Sequence, residues 1–198
     1  MPGVNLINPV DYRQIEASEP LLFFAGPVQG APDYQAVFGR IVLERRPDFV
    51  VATPRVPHEI DRRTFDFHKQ VDWEDEHLWR AARFGGVAFW FAAQDHTLPY
   101  PEGRAYAQTT RIELGKVTGW RRFAPLRMAV GFDPEYEGGS ERYIRRMLER
   151  EQIDVANSAD EFVEHIDLRI LRHFPAAAVP ADKAADSIPA SPAPRVRG

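Results

Sequence analysis

The chain has 198 residues, 44% hydrophobic and 12% aromatic, enough to bury one sizeable domain and too few for two ordinary ones. Its formal charge of -4 is spread over interleaved acids and bases, so no basic stripe points to a nucleic-acid polymer as partner. With no cysteine, no apolar run long enough to span a bilayer and no signal-peptide pattern at the N-terminus, the chain reads as a soluble, non-membrane, cytoplasmic protein without disulfides or a thiolate metal site.

Residues 1–20 read as a polar lead-in. From 21 to 174, short apolar runs alternate with helical patterns, and from 175 to 198 the Ala/Pro-rich sequence offers almost nothing to bury and is expected to be disordered. The runs LLFFAG (21–26), DFVVATP (48–54), GVAFWFA (86–92) and LRMAVGF (126–132) end in Gly, Pro or polar residues, as strands covered on both faces do, and a weaker QIDVA (152–156) follows.

Between the runs, Tyr34, Val37, Phe38, Ile41 and Val42 recur at spacings of three and four and predict a helix stopped by Pro47. Asp72 is the predicted cap of a second helix carrying Trp73, His77, Ala81 and Phe84. A third opens at Ile112, and 143–148 and 161–174 supply two more. This alternation predicts an α/β fold, a doubly wound (flavodoxin/Rossmann-like) parallel sheet of about five strands flanked by helices. Ligands in such folds sit at the carboxyl ends of the strands, beside the point where strand order reverses.

That rule selects three loops. AGPVQGAPDY follows the first run; Gly26 and Gly30 let backbone amides approach a ligand and Pro27 stiffens the turn, although the same residues also make a plain Gly-Pro connection. It is neither a dinucleotide fingerprint nor a P-loop. Arg55 follows the second run and reads either as a partner for an anionic or carbonyl group or as a solvated arginine. Beyond it, VDWEDEH gathers Asp72, Glu74, Asp75 and Glu76, acids that equally suit a helix start. Trp73 and His77, four apart, place an aromatic platform and a titratable ring beside them. The six histidines show no metal-ligand pairing, so no metal is expected.

The third loop is long and polar, the size of a lid, and runs into TTRIELGKVTGW. Glu113 is placed in the first helical turn, where the dipole favours its ionised form. A carboxylate aimed into a strand-end crevice suits attack on an anomeric carbon, whose transition state is oxocarbenium-like. The structural alternative is a helix-start glutamate that only satisfies amides.

FFAGPVQG, QVDWEDEHL, FWF and TRIELG, in that order over roughly residues 21–155, resemble the nucleoside 2-deoxyribosyltransferase-like family. The resemblance implies that Glu113 is the nucleophile of a double displacement with retention. The base leaves, a glycosyl ester forms, and a second base or water attacks it, with no cofactor or metal. It also implies a small-molecule nucleoside or nucleotide substrate and a homo-oligomer with sites shared between subunits. Gly26 and Pro27 match the family's turn. Phe24 stands near a family tyrosine and retains stacking without the hydroxyl, and Ala107 and Gln108 lie where a family aspartate is found. Arg111 is expected to fix the loop or orient a carboxylate, and one of Asp72, Glu74 or His77 to hold or protonate the departing base. Arg55, Arg104 or Arg111 would meet a phosphate, if the substrate is a nucleotide. Trp79 and Trp120 read as interface or core. A non-catalytic nucleotide-binding module is the alternative from outside enzymology.

Overall fold

Apolar runs with no polar alternation can be satisfied only by cover on both faces, and the sheet is built from them. The computed structural model describes residues 5–11, 13–57, 60 and 66–175; the tail expected to be disordered lies, beyond Pro175, outside the described residues. Strand β1 is Leu6–Ile7, β2 Leu21–Ala25, β3 Val50–Ala52, β4 Gly85–Phe91, β5 Met128–Phe132 and β6 Val155–Ala156. All pair in parallel, in the order β1-β3-β2-β4-β5-β6. The fold is therefore the expected doubly wound α/β sheet, with six strands rather than about five.

The additional strand lies in the stretch read as a lead-in. Leu6 and Ile7 align with Val51 and Ala52, and the segment is held further by Asn5 Nδ2 donating to the Pro47 carbonyl at 2.8 Å and by Trp73 Nε1 donating to that of Asp11 at 3.2 Å. Two residues are too few to show a period, which is why an extra edge strand was not visible in the sequence.

The helices are α1 (Tyr34–Arg45), α2 (Phe67–Phe84), α3 (Gln108–Arg121), α4 (Glu141–Arg150) and α5 (Ala159–Arg169), with a 3-10 turn at Leu171–His173. Adjacent side chains of β2 point to opposite faces. Phe24 meets Phe38 of α1 with ring centroids 6.2 Å apart, while Phe23 meets Trp73 of α2 at 6.5 Å. Phe38 also meets Phe162 of α5 at 5.2 Å, which puts α1 and α5 on one face. On the other, α2 and α3 are joined by the Lys116–Asp75 ion pair. Strand order turns back between β2 and β4, which opens a crevice at their carboxyl ends.

Helix α2 begins earlier than expected. Asp66 caps it, its carboxylate accepting from the amides of His68 at 3.0 Å and Lys69 at 3.3 Å, so Asp72 lies inside the helix, exposed, and caps nothing. Its first turn presents Phe67 at 69% exposure, so no buried periodicity announces it. Helix α3 likewise starts at Gln108, which places Glu113 in the second turn rather than the first. Ile112, read as the start because it is apolar, is 66% exposed.

Candidate active site

The three loops expected at the strand ends enclose a cavity of about 370 Å³. That lies within the range of small-molecule sites. Gly26, Pro27, Val28 and Gln29 line it from the loop after β2, Pro54 and Val56 from the segment after β3, and Tyr100 and Arg104 from residues 92–107, which join β4 to α3. Helix α2 contributes Phe67, Gln70, Val71 and Glu74, and α3 contributes Gln108, Thr109, Thr110 and Glu113. Glu74 and Glu113 thus come from two helices to one cavity.

The turn after β2 requires glycine. Gly26 has φ 149°, and a Cβ there would lie 2.0 Å from Tyr34 Oη and 2.4 Å from the Trp90 carbonyl oxygen. Gly30, at φ 67°, lets the Tyr100 ring close over it, and its carbonyl accepts from the Asp95 amide at 2.8 Å. The 92–107 connection is tied down along its length. The Tyr106 hydroxyl donates to the carbonyls of Ala92 and Ala93, at 3.0 and 3.1 Å, and the Tyr100 hydroxyl to that of Ala105 at 2.9 Å. Arg104 donates to Gln29 Oε1 at 2.9 Å and to Thr109 Oγ1 at 3.0 Å, spanning the cavity from the β2 loop to α3. Ala107, at φ 54°, turns the chain into α3 through the left-handed region, and no side chain caps the helix there.

Electrostatically the two carboxyl groups differ. Glu113 is pushed up to about 8, first because burial strips water from the charged form, then because the negative charge of Glu74 lies close, with Lys116 acting in the opposite sense. The expected ionisation of Glu113 is thereby corrected: its second-turn position takes it away from the helix amides, and desolvation decides. Glu74 is raised less, to about 6, because burial is offset by Gln70, whose Nε2 donates to Glu74 Oε1 at 2.7 Å. Both carboxyls therefore hold a proton more tightly than an ordinary glutamate, Glu113 the more so.

Other singled-out residues lie outside the lining. Asp72 is exposed on α2. Trp73 and His77 are buried and stacked at 4.0 Å, and His77 Nδ1 lies 2.8 Å from the Trp73 carbonyl oxygen, so the pair closes α2 over the sheet; burial lowers the imidazole's affinity for a proton. Phe24 is fully buried in the core. Arg55 is a strut: it pairs with Asp33 at 3.2 Å, donates to Gln35 Oε1 at 3.1 Å and reaches the carbonyls of Ala31 and Pro32 at 3.2 and 2.9 Å. Arg111 turns toward the next strand end, donating to the Gly139 carbonyl at 3.2 Å and to the Tyr136 hydroxyl at 3.4 Å. Gly26, Pro27, Glu74 and Glu113 are brought together.

Sequence reasoning missed Gln70, Phe67, Val71, Tyr100 and Thr109. Gln70 had a signal, since it precedes Glu74 by one helical turn, but only an α2 extended back to Asp66 makes the two neighbours. No protein-family model matches the chain, nor does any curated protein.

Proposed function

We propose that the protein cleaves the N-glycosidic bond of a nucleoside or nucleotide through a glycosyl ester on Glu113 and passes the sugar to a second base. The observation that carries this reading is the meeting of Glu113 and Glu74 in one cavity at the strand ends, beside the Gly26-Pro27 turn. A carboxyl pair sharing one proton supplies what the reaction needs, an acid for the departing base and a nucleophile for the sugar. As the bond from C1′ to the base nitrogen breaks, the base takes the pair's proton through Glu74 and a Glu113 oxygen bonds to C1′. This leaves a neutral ester and an ionised Glu74. In the return step Glu74 removes a proton from the incoming base, whose nitrogen attacks C1′ and frees Glu113. Asp72 and His77, the other candidates for handling the base, lie away from the cavity lining, so the acid and base role goes to Glu74.

Purified protein would be incubated with a panel of ribo- and deoxyribonucleosides and their monophosphates, with and without a second free base, and the products separated by chromatography. A new nucleoside formed only with an acceptor base marks the transferase, and free base formed without one marks a hydrolase. Glu113→Ala should lower base release by at least about 10³-fold, as removal of a covalent nucleophile does. An unchanged rate would sink the reading. If nothing turns over but nucleosides bind by calorimetry, the chain is a binding module.

A second reading, a nucleotide N-glycosidase that gives the sugar to water, is favoured by Arg104, a guanidinium on the cavity wall beside the uncapped start of α3. Arg104→Ala should then raise KM about tenfold for monophosphates and leave nucleosides unaffected. By the same resemblance the working form is a homo-oligomer, which sedimentation would test. Trp79, 47% exposed on α2, is available for a subunit contact, whereas Trp120 packs against the core.

A further inference from the structure

The hydrogen bond from Gln70 to Glu74 lies inside the cavity wall, since both side chains line it. Amide donation to a carboxylate favours the ionised form, and it fixes which oxygen is engaged: Oε1 is held at 2.7 Å. Glu113, on the facing helix, has no hydrogen-bond donor among the described residues, although it lines the same cavity. One carboxyl is therefore built as an acceptor and the other is not.

The remaining charged and titratable groups facing the pair do not reverse this. Lys116 on α3, one turn from Glu113, is engaged by Asp75 of α2. Asp75 itself adds negative charge near both carboxyls. Tyr34, from α1, lies buried behind Gly26, where its hydroxyl accepts from Gln35 Nε2 at 2.9 Å. Arg104, also in the cavity lining, is held by Gln29 and Thr109.

We infer that Gln70 is a positioning residue: by donating to Glu74 it keeps Glu74 as the ionised member, and Glu113 as the proton-bearing member, of a carboxyl pair that holds a single proton. The inference rests on the N-glycosidic reading for its purpose, though not for its test. At rest the nucleophile is masked as an acid. Catalysis then requires the Glu113 proton to leave by way of the cavity to Glu74, and from Glu74 to the departing base, as Glu113 bonds to C1′. Charge balances throughout, because the pair starts with one proton and one negative charge and ends as an ester and a carboxylate, the proton having left on the base. Without Gln70 the preference of the proton for Glu113 would narrow, and the resting distribution would shift toward Glu74.

The test is a carboxyl titration of the full chain carrying carbon-13 at the glutamate δ position, assigned with Glu74→Gln and Glu113→Gln. The parent should show a lower midpoint for Glu74 and a higher one for Glu113, and Glu74→Gln should lower the Glu113 midpoint. Gln70→Met, which keeps the length and removes the donor, should raise the Glu74 midpoint by about one pH unit; Gln70→Leu repeats the test with a different shape. In the activity assay Gln70→Met should shift the lower limb of the kcat profile upward in pH by a similar amount, with KM changed less than twofold. Glu74 and Glu113 midpoints that stay in place in folded Gln70→Met and Gln70→Leu would overturn the inference. If the parent turns over no substrate, the N-glycosidic reading fails, and the titration still decides whether Gln70 sets the proton's position.

Discussion

Glu113 is kept acidic against its own preference, and that has a measurable effect on folding. Its proton affinity is raised from the ordinary carboxyl range to about 8, so the folded chain binds a proton between those limits that the unfolded chain has released. The contribution is fully present below about pH 4.5 and is lost as pH rises through about 8. Urea denaturation should accordingly show stability falling between pH 5 and pH 8.5. Glu113→Gln should flatten that slope and be the more stable protein at pH 8.5 by about 2 kcal/mol, less than the full shift implies because the half-buried carboxyl keeps part of its solvent screening. At the turn that faces it, Gly26→Ala should cost more than about 2 kcal/mol, since the added methyl meets a backbone carbonyl that cannot move aside.

At the scale of elements, α2 and α3 carry the two carboxyls, and each begins where local chemistry rather than periodicity dictates. Asp66→Ala removes the cap of α2 and should cost about 1 kcal/mol in urea denaturation, whereas Asp72→Ala, the cap expected from the sequence, should change stability by less than about 0.5 kcal/mol. Ala107→Gly should stabilise by about 1 kcal/mol, because glycine enters the left-handed region without the alanine's steric penalty. The strands were legible because continuous apolar runs such as that of β4 have no other way to be satisfied. The helix starts were not, because Phe67 and Ile112 are apolar yet exposed, and the polar first turn of α3 faces a cavity instead of the core. Glu113 could be singled out from TRIELG, whereas Glu74 stood level with Asp72 and His77 until the fold put it alone of the three on the cavity lining. Arg55, Arg111 and Trp73 could not be sorted from ligand contacts, because their partners Asp33, Gly139 and Asp11 are fixed only by the tertiary fold.

For the molecule as a whole, the sheet depends on a strand outside the recognisable pattern. Deleting residues 1–10 removes β1 and its pairing with β3 and uncovers one edge of the sheet. The melting temperature should drop by roughly 4–8 °C, the equivalent of about 2 kcal/mol in a chain of this size. Retention of the parent value would mean that β1 adds nothing to the sheet. Among the described residues no helix is long and apolar enough to cross a membrane, and five helices instead spend their apolar faces on the sheet.

The Arg55 strut has a calorimetric corollary. One guanidinium bonds Gln35 and the carbonyls of Ala31 and Pro32 from its place after β3, fastening the approach to α1 before any ligand arrives. A frame already fastened behind the cavity has little conformational freedom left to surrender on association. Arg55→Lys, which replaces a planar fork with a single ammonium, would leave the cavity's chemistry in place and loosen its frame, so that, on the proposed function, the affinity for a nucleoside would weaken through the entropy of binding.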